Sequence, residues 1–453
     1  MNDFTEDQLV QKTMAEYLEV EHGWRVAMAW NKEVFGPEGT LGRKSDKDVV
    51  LTRYLSETLL RLNPGLPEDA YVQALREITD IFGSQSLLHI NQDKYALIRD
   101  GVRVKFRQNG EQRMERLRVF DFDNAENNDF LAVRELWVRG YAHRRRADIV
   151  GFVNGLPLMF CELKRPDKDL KRAYAENLSD YKDAVPHLFH FNAFVILGNG
   201  DLAKLGSISA DYDHFSDWLK LDEAEQRDQM LPMEALLRVV CDKRRFMDLF
   251  ENFILFADTA NGPVKILAKN HQFLGVNRAV EAVANRHALK GKLGVFWHTQ
   301  GSGKSFSMAL FTQKVHRKLG GDYTFLVLTD RTDLDNQIYK TFASVWLANN
   351  DKDPCRAGSA QELRDLLGQQ KKVIFGMIQK FTDDQAKAGV YSDRDNIIVV
   401  TDEAHRSQYG TLALNLRKAL PNAAFIGFTG TPLFSNDQIT KQVFGAYLST
   451  YDC

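Results

Sequence analysis

Residues 295–305, Val-Phe-Trp-His-Thr-Gln-Gly-Ser-Gly-Lys-Ser, decide the fold of the C-terminal part of this chain. A short apolar run meets a Gly-rich turn, and the residues after the turn have the pattern of a helix. In such a unit, backbone N–H groups of the turn and of the helix N-terminus face a phosphate. The Lys304 ammonium is expected to reach the β- and γ-phosphates of a nucleotide, and the Ser305 hydroxyl to contact Mg²⁺. The predicted phosphate-loop residues are Gly301, Ser302, Gly303, Lys304 and Ser305.

Short apolar strands alternate with helical segments after this loop, and polar residues follow each strand. The predicted strands cover residues 324–328, 373–377, 396–401 and 424–428. This alternation predicts a parallel, doubly wound sheet that binds its ligand at the carboxyl ends of the strands. Asp402 follows the third strand, where it can hold the water shell of Mg²⁺. Glu403 beside it can polarise the water that attacks the γ-phosphate.

Composition limits the class of protein. A chain of 453 residues is too long for one ordinary core, so two or three domains are expected. It is 44% hydrophobic and 26% charged, and no apolar run approaches the roughly 18 residues that span a bilayer. The acidic N-terminus is not a signal peptide, and four cysteines without a C-x-x-C pair argue against a zinc site or a disulfide framework. These features predict a cytoplasmic protein without a membrane anchor.

Residues 259–263, Thr-Ala-Asn-Gly-Pro, break the pattern and are predicted to form the main domain boundary. Residues 217–258 before this break are predicted to be mostly helical. The expected division is an N-terminal domain over residues 1–225, a helical linker over 226–263, and a C-terminal domain with the phosphate loop over 264–453.

Residues 147–164 are the second stretch with recognisable chemistry. Two apolar runs flank Asn154-Gly155, a strong hairpin signal; Asp148 begins the first run, and Glu162-x-Lys164 ends the second. Because side chains alternate along a strand, Glu162 and Lys164 share one face, roughly 7 Å apart. The set suits metal-assisted hydrolysis of a phosphodiester. Asp148 and Glu162 would hold Mg²⁺, while Lys164 would orient the attacking water and stabilise the developing charge.

The register of this hairpin tests the hypothesis. A two-residue turn at Asn154-Gly155 places Asp148 opposite Cys161, away from Glu162. A three-residue loop or a bulge pairs Asp148 with Glu162, and Pro157 favours such an irregularity because it has no N–H for the ladder. We predict the three-residue loop or the bulge. The alternative is an exposed hairpin in which these charged side chains only form salt bridges.

Three basic runs are candidates for nucleic-acid contacts, since a net charge of −2 gives no global basic field. They are Arg139 with Arg144-Arg145-Arg146, Lys164-Arg165 with Lys171-Arg172, and Lys243-Arg244-Arg245. Each run taken alone is more typical of a solvated protein face than of a nucleic-acid contact. The first two flank the stretch that carries Asp148 and Glu162, which favours a contact with the substrate.

Two predicted helices carry further candidates. The first covers residues 5–20, with Glu6 in its first turn. Glu6 is either an acid favoured by the helix dipole or an outer carboxylate of the site around Asp148. The second covers residues 168–184 and carries Asn177 and Tyr181, which lie four apart and therefore on one face.

The C-terminal motifs resemble those of superfamily 2 helicases and translocases. Gln272 is similar to the adenine-reading Gln of that superfamily, residues 301–305 to its motif I, and Asp402-Glu403-Ala404-His405 to its DEAH box. Thr429-Gly430-Thr431 is similar to motif III, which couples the nucleotide state to DNA. The resemblance implies ATP-driven movement on duplex DNA. His298 stands where the full loop pattern has Gly, a position that helicase-type motors often relax.

Four segments together resemble the restriction (R, or HsdR) subunit of type I restriction enzymes: residues 297–305, 330–337, 378–381 and 402–408. Asp148 with Glu162-x-Lys164 is similar to the PD-(D/E)xK nuclease of that family. The family has a Gln-x-x-x-Tyr motif after the nuclease lysine, and this chain has Asn177 and Tyr181 there. The shorter amide of Asn177 departs from the motif, so Tyr181 carries the expected DNA contact more firmly.

This resemblance implies a fold, cofactors and partners. The expected fold is a restriction-endonuclease-like α/β domain followed by a RecA-like doubly wound domain, with ATP and Mg²⁺ as cofactors. The expected partners are duplex DNA and the modification (M) and specificity (S) subunits, which read the target while the R subunit pulls DNA and cuts it at a distance. The family's second motor lobe is absent from these 453 residues, so the chain alone is expected to bind ATP weakly and to turn it over poorly.

Two other functions fit parts of the pattern. One is a superfamily 2 translocase without nuclease activity, in which the hairpin around Asn154 is structural. The other is a module that clamps DNA and is not an enzyme. Loss of cleavage on Lys164→Ala would exclude the first, and Mg²⁺-dependent cleavage in any setting would exclude the second.

Overall fold

The computed structural model describes residues 6–81, 85–225, 230–330, 332–349, 351–381, 389–402, 409–431 and 438–452. The chain divides into two compact units. Unit 1 comprises Met1–Leu221, Glu225–Phe256 and Asn261–Asn270, and unit 2 comprises Asp222–Ala224, Ala257–Ala260 and His271–Cys453, each with the gaps in the described ranges given above. Among the described helices, none combines the length and the apolar composition needed to cross a bilayer.

The described residues of unit 1 form eight α-helices: α1 (Glu6–His22), α2 (Thr52–Leu62), α3 (Glu68–Thr79), α4 (Leu87–Asp100), α5 (Leu170–Arg172), α6 (Ser179–Ala184), α7 (Pro232–Val240) and α8 (Lys243–Asn252). A π-helical segment, Ala173–Leu178, joins α5 to α6. Short 3₁₀ helices cover Ala125–Asn127, Pro186–Phe189 and Tyr212–His214. The helix predicted over residues 168–184 is therefore present, with a π-helical interruption.

A six-stranded mixed sheet forms the centre of unit 1. Its strands are β1 (Arg25–Met28), β4 (Phe130–Arg139), β5 (Arg144–Val153), β6 (Leu156–Leu163), β7 (Phe194–Gly198) and β8 (Ala203–Gly206), and they lie in that order across the sheet. The pairs β4–β5, β5–β6 and β7–β8 are antiparallel, whereas β1–β4 and β6–β7 are parallel. β6 is buried along its whole length, which explains why its sequence is apolar without alternation.

Two further hairpins belong to the first part of the chain: β2 (Val102–Gln108) with β3 (Glu111–Leu117), and β9 (Ile254–Thr259) with β10 (Gly262–Leu267). The second hairpin corrects the prediction that residues 217–258 are mostly helical, because Ile254-Leu-Phe begins a strand. The break predicted at residues 259–263 contains the turn of this hairpin at residues 260–261, and Gly262, with a φ of 104°, begins β10.

The division into compact units differs from the expected division. Helices α7 and α8, expected in a linker over residues 226–263, fall in unit 1. The reason is packing: α7 contacts β8 and α1, and its buried side chains include Leu236, Leu237 and Val240. Three residues upstream of these helices, Asp222–Ala224, group with unit 2.

Unit 2 is a parallel, doubly wound sheet, as predicted. Its six strands lie in the order β13-β12-β14-β15-β11-β16, and every described pair is parallel. The strands are β11 (Lys292–His298), β12 (Thr324–Thr329), β13 (Val373–Met377), β14 (Ile397–Asp402), β15 (Ala424–Thr429) and β16 (Tyr447–Tyr451). The helices are α9 (Asn270–Ala284), α10 (Lys304–Lys318), α11 (Thr332–Ser344), α12 (Ala360–Leu367), α13 (Tyr409–Ala419) and α14 (Gln438–Phe444), with a 3₁₀ helix at Ile378–Phe381.

Candidate functional site

The turn between β5 and β6 has two residues. Asn154 and Gly155 have φ angles of 53° and 81°, and Val153 pairs with Leu156 across the turn. Both residues lie in the left-handed region that an Asn-Gly hairpin turn requires. The turn is buried, and the Asn154 side chain accepts the Asp129 N–H at 2.7 Å and donates to Val119 O at 2.8 Å. The predicted three-residue loop is therefore not formed.

A bulge in β6 supplies the register instead. Gly151 pairs with Met159 and Phe152 pairs with Pro157, so Leu158 is an extra residue in β6. Past the bulge Ile149 pairs with Cys161, and the same register carried one step further places Asp148 opposite Glu162. The bulge that we predicted as the alternative to a longer loop is confirmed, and Pro157 lies beside it, where no N–H is needed.

The charged side chains at this end of the hairpin are close to one another. Lys164 Nζ donates to Glu162 Oε1 at 2.9 Å, so the two share a face as predicted. Asp148 Oδ2 accepts the Leu163 N–H at 2.8 Å, next to the Ile149–Cys161 pair of the β5–β6 ladder. Glu162 is only 2% exposed, whereas Lys164 is partly open to solvent. The Glu162–Lys164 pair therefore lies where β6 ends, and Asp148, from the middle of β5, is hydrogen-bonded to the adjacent Leu163.

Gln11 is a residue of this site that the sequence analysis missed. Its Nε2 donates to Asp148 Oδ1 at 2.9 Å, and the side chain is buried in α1. Gln11 lies three residues before Met14 and seven before Leu18, so a polar side chain occupies the apolar face of the helix. That misplaced polar residue was the available signal. Glu6 begins the same helix, but its side chain lies outside the described part of the structure.

Tyr181 is buried and holds β5 in place. Its hydroxyl donates to Arg146 O at 2.5 Å, and its ring packs edge-on against Phe160. Burial raises the pKa of Tyr181, and the nearby carboxylates Glu162 and Asp148 raise it further, so the phenol stays a hydrogen-bond donor. Asn177 is half-buried inside the π-helical segment. π-helical segments often occur at functional sites, and the DNA contacts expected for both residues stay predictions.

Arg146 lies on the same face of β5 as Asp148. The residues between and beyond them, Ala147 and Ile149, are fully buried on the other face. The Arg146 guanidinium lies 5.0 Å from the centre of the Trp30 ring, and its Nε is 2.6 Å from Glu135 Oε2. Glu135 is itself buried, with a φ of 56°. A partly exposed cation is therefore held firmly beside the carboxylates.

The other members of the predicted basic runs are mostly paired with acids. Arg139 and Arg144 both contact Asp46, and Arg145 contacts Asp180. Ion pairs also form between Arg165 and Asp167, and between Lys243 and Glu126. These pairs lower the net charge of each run, which favours the solvated-face interpretation for the runs taken alone.

The phosphate loop of unit 2 has the predicted strand, turn and helix. The turn follows β11, and α10 begins at Lys304, next to Gly303 in the left-handed region with a φ of 86°. Gly301 also has a φ of 86°. Lys304 Nζ donates to His298 O at 3.2 Å, so the ammonium lies over the end of β11. Ser302 is buried, and Ser305 is half-buried in the first turn of α10.

Gln272 lies against this loop. Its Nε2 donates to Gly303 O at 3.1 Å and to Ser307 Oγ at 3.2 Å. A Cβ on Gly303 would lie 2.9 Å from the same amide nitrogen, so the loop and the Gln272 side chain fit closely. The role in reading adenine that the resemblance implies stays a prediction.

His298, which departs from the phosphate-loop pattern, is buried in a hydrogen-bonded chain. Its Nε2 lies 2.7 Å from Ser449 Oγ, and Ser449 donates in turn to Glu223. Burial lowers the pKa of His298 to about 2, with further contributions from His271 and Lys304. The ring is therefore neutral at physiological pH, which is compatible with the nearby ammonium of Lys304.

Three strand ends meet at the carboxyl edge of the sheet. β15 lies between β11 and β14, with Trp297 of β11 paired to Thr429 and Asp402 of β14 paired to Phe428. Asp402 is 7% exposed. Thr429 Oγ1 accepts the Thr431 N–H at 3.2 Å and donates to Thr431 O at 3.0 Å, which shapes the turn through Gly430. Glu403 lies outside the described residues.

The oxygen donors of both sites suit Mg²⁺. Among the residues described, no group of three or more His, Cys, Asp and Glu side chains gathers in a metal-binding arrangement. Mg²⁺ nevertheless commonly binds through one or two carboxylates and keeps several waters. Asp148 with Glu162, and Ser305 with Asp402, provide such hard oxygen sets. The chemistry of the side chains therefore fits the ion in each place.

Comparisons with known proteins give one family. The family model "Type I restriction enzyme R protein N terminus (HSDR_N)" matches residues 3–214, and the model "SWI2/SNF2 ATPase" matches residues 271–453. The chain is 39% identical over 95% of its length to the type I restriction enzyme HindI endonuclease subunit of Haemophilus influenzae. It is 32% identical over 90% of its length to a protein of Methanocaldococcus jannaschii named as a candidate subunit of the same kind.

These matches cover only part of the relatives. The chain spans 43% and 41% of the lengths of the two proteins, about two fifths of each. The solved structure of a fragment of a candidate HsdR subunit from Vibrio vulnificus is 16% identical, with a TM-score of 0.28, and the match covers 70% of this chain and 52% of that one. The sequence matches, spread over both units, establish that the chain belongs to the family of the restriction (R, or HsdR) subunits of type I restriction enzymes.

Proposed function

We propose that this chain cuts duplex DNA with the Asp148, Glu162 and Lys164 site and binds ATP with the phosphate loop of unit 2 to drive DNA translocation. The single observation that supports the nuclease proposal most is the bulge at Leu158. Without it, the two-residue turn would separate Asp148 from Glu162. A bulge that brings two carboxylates to one face, at a cost in hydrogen bonding, is typical of a functional site.

In the proposed cleavage step, Asp148 and Glu162 would hold Mg²⁺, which when bound would supply Lewis-acid stabilisation of the charge that develops on the phosphate. Lys164 lies 2.9 Å from Glu162, where its ammonium can orient the attacking water and donate to a phosphate oxygen. Gln11 and the Leu163 N–H fix the two oxygens of Asp148, so this carboxylate keeps one orientation. Arg146, on the same strand face, is positioned to contact a DNA phosphate.

In the proposed ATP site, the turn from Gly301 to Gly303 and the first N–H groups of α10 hold the phosphates. Lys304 would contact the β- and γ-phosphates, and Ser305 with Asp402 would hold the Mg²⁺ that accompanies ATP. Glu403 activates the water, and Thr429, Gly430 and Thr431 couple the nucleotide state to DNA. β15 lies between β11, which leads into the phosphate loop, and β14, which ends at Asp402. Thr429 is the last residue of β15, and this position supports a coupling role for Thr429, Gly430 and Thr431.

The family suggests the remaining partners. We propose that the modification and specificity subunits select the DNA target, that cleavage occurs away from the recognition site, and that the assembly works in the cytoplasm. Tyr181 and Asn177 are proposed to contact DNA beside the nuclease site, and Glu6 to act as an outer carboxylate. The functional domains are proposed to be residues 1–225 and 264–453, with residues 226–263 between them.

One experiment tests both sites. Supercoiled DNA is incubated with this R subunit, its modification and specificity partners, Mg²⁺ and ATP, and cleavage and ATP turnover are followed together. Asp148→Ala is expected to lose cleavage by at least about 100-fold and to keep ATP turnover, and Lys304→Ala to lose both. Asp213→Ala, which removes an exposed carboxylate of the same unit, is the control and should keep both activities.

The same experiment separates the proposal from its structural alternative. The contacts of Asp148 with Leu163 N–H and of Lys164 with Glu162 would also exist in a purely structural hairpin. If Asp148→Ala still cuts while remaining folded, the hairpin is structural and the protein is a translocase whose nuclease lies elsewhere. If no variant or wild type cuts with Mg²⁺, a DNA-clamping module becomes the better description.

A further inference from the structure

The hairpin of β2 and β3 has two faces of different chemistry. Cross-strand pairs share a face, and the pairs Val102 with Leu117 and Val104 with Glu115 lie on one side together with Phe106. The three apolar residues of β2 on this side are buried, and β2 contacts α3. This side anchors the hairpin to unit 1.

The opposite face is exposed and carries only basic, polar and thioether side chains. Its cross-strand pairs are Arg103 with Arg116, Lys105 with Met114, and Arg107 with Gln112. All six residues are exposed, and Met114 is 60% exposed. We call the four cations Arg103, Lys105, Arg107 and Arg116 the basic ribbon. No carboxylate shares this face within the two strands, since Glu111 and Glu115 belong to the other side.

The cations of the basic ribbon are not neutralised within the described part of the chain. The side chains of Arg103, Lys105 and Arg107 form no ion pair and donate no hydrogen bond there, and Arg116 donates to the backbone oxygen of Asp100. This contrasts with the arginines around the nuclease hairpin, where Arg139, Arg144 and Arg145 each contact an acid.

Folding alone does not favour this arrangement. Arg103 and Arg116 are directly opposite, and like charges in that position destabilise a sheet. A polyanion bound along this face would relieve that repulsion. From Arg103 to Arg107 the ribbon extends about 13 Å, a length over which duplex DNA carries about eight phosphate charges.

We infer that the basic ribbon binds the phosphate backbone of duplex DNA, independently of base sequence. The choice of DNA as the polyanion rests on the proposed function. Four exposed cations along this face, with a single amide at Gln112 and no aromatic ring for stacking, favour backbone contacts over base recognition. The ribbon would thus hold DNA while other residues carry out cleavage.

Salt dependence of binding is the direct test. Binding of this whole chain to a 40-base-pair duplex of mixed sequence is measured by anisotropy in EDTA, over a series of salt concentrations. For each phosphate that a variant no longer neutralises, the slope of log K against log salt should fall in magnitude by about 0.9. The triple variant Arg103→Gln, Lys105→Gln, Arg107→Gln should therefore lower the slope by about 2.7, and Lys105→Gln alone by about 0.9.

Two matched variants control for charge and folding. Arg103→Lys with Arg107→Lys keeps the cations and should keep the slope. The triple variant Lys12→Gln, Lys352→Gln, Lys441→Gln removes the same charge from exposed lysines on separate elements and should change the slope by less than about 0.9. Thermal unfolding verifies that each variant is folded. If the triple variant is unfolded, the slope measured for Lys105→Gln alone tests whether the ribbon binds DNA.

An unchanged slope in the triple and the single variant overturns the inference. If the slope is unchanged but association with the modification and specificity subunits weakens, the ribbon instead docks an acidic protein surface. This outcome differs from failure of the proposed nuclease function. Cleavage by Asp148→Ala would refute the nuclease function, whereas the change in the salt-dependence slope, measured in EDTA, would still support DNA binding by the ribbon.

Discussion

At the scale of single residues, Gln11 orients the carboxylate of Asp148, which we propose as a nuclease residue. Gln11 Nε2 donates a hydrogen bond to Asp148 Oδ1 at 2.9 Å, and the Leu163 N–H donates one to the other oxygen, Asp148 Oδ2. We expect Gln11→Ala to reduce the cleavage rate by about 10- to 100-fold, because the orientation of Asp148 is lost, and to leave ATP turnover unchanged. Gln11→Glu should be more damaging, since it places two carboxylates side by side. Equal cleavage by wild type and Gln11→Ala would show that Asp148 is oriented without it.

His298 makes the stability of unit 2 depend on pH. Its folded-state pKa is lowered to about 2, whereas the unfolded chain binds a proton near pH 6.5. The unfolded state therefore holds more protons below pH 6.5, and the free energy of unfolding decreases by about 1.4 kcal/mol per pH unit as the pH falls. His298→Gln should flatten this dependence between pH 6.5 and 4.5. Denaturant titrations of both proteins measure it, and parallel pH profiles would contradict the prediction.

At the scale of elements, two Asn-Gly turns with the same backbone differ in their surroundings. Gly155 has a φ of 81°, and a Cβ there would lie 2.4 Å from Leu51 O. Gly110 has a φ of 85°, and a Cβ there would meet nothing within 4 Å. Gly110→Ala should therefore lower the free energy of unfolding by only the left-handed penalty of about 1–2 kcal/mol. Gly155→Ala should lower the free energy of unfolding by clearly more than this, because the backbone at Leu51 has to move to make room for the Cβ.

Urea unfolding of the two glycine variants compares these effects directly. The Gly155→Ala variant should also lose cleavage, since the turn determines the register that leads to Asp148. Equal destabilisation by both substitutions would mean that the segment around Leu51 gives way, and that the close approach at Gly155 does not matter.

At the scale of the whole molecule, ATP should stabilise one unit only. Mg²⁺-ATP at about 100 times its dissociation constant adds about 2.7 kcal/mol to the stability of the folded unit that binds it. In calorimetry we expect ATP to raise the midpoint temperature of the unfolding transition of unit 2 and to leave that of unit 1 unchanged. Lys304→Ala should abolish this rise. Asp148→Ala is the matched control and should respond to ATP like wild type. A shift of both transitions, or of neither, would contradict this assignment.

The local features of the molecule follow from the sequence alone. Gly301, Gly303 and Lys304 predict the phosphate loop, because left-handed glycines and a helix start are decided within a few residues. The apolar runs of unit 2 predict its strands almost to their observed bounds, since fully buried parallel strands need continuous apolar sequence. The shared face of Glu162 and Lys164 follows from strand alternation in the same way.

Only the tertiary structure decided features that depend on distant partners. The register that brings Asp148 opposite Glu162 comes from an extra residue at Leu158, which local signals allowed but did not require. Gln11 reaches Asp148 across 137 positions of sequence, and residues 254–259 are a strand because β10 pairs with them. Backbone conformation is set by near neighbours in the chain, whereas ladder pairing and side-chain partners are set by burial and long-range packing, which a single sequence does not display.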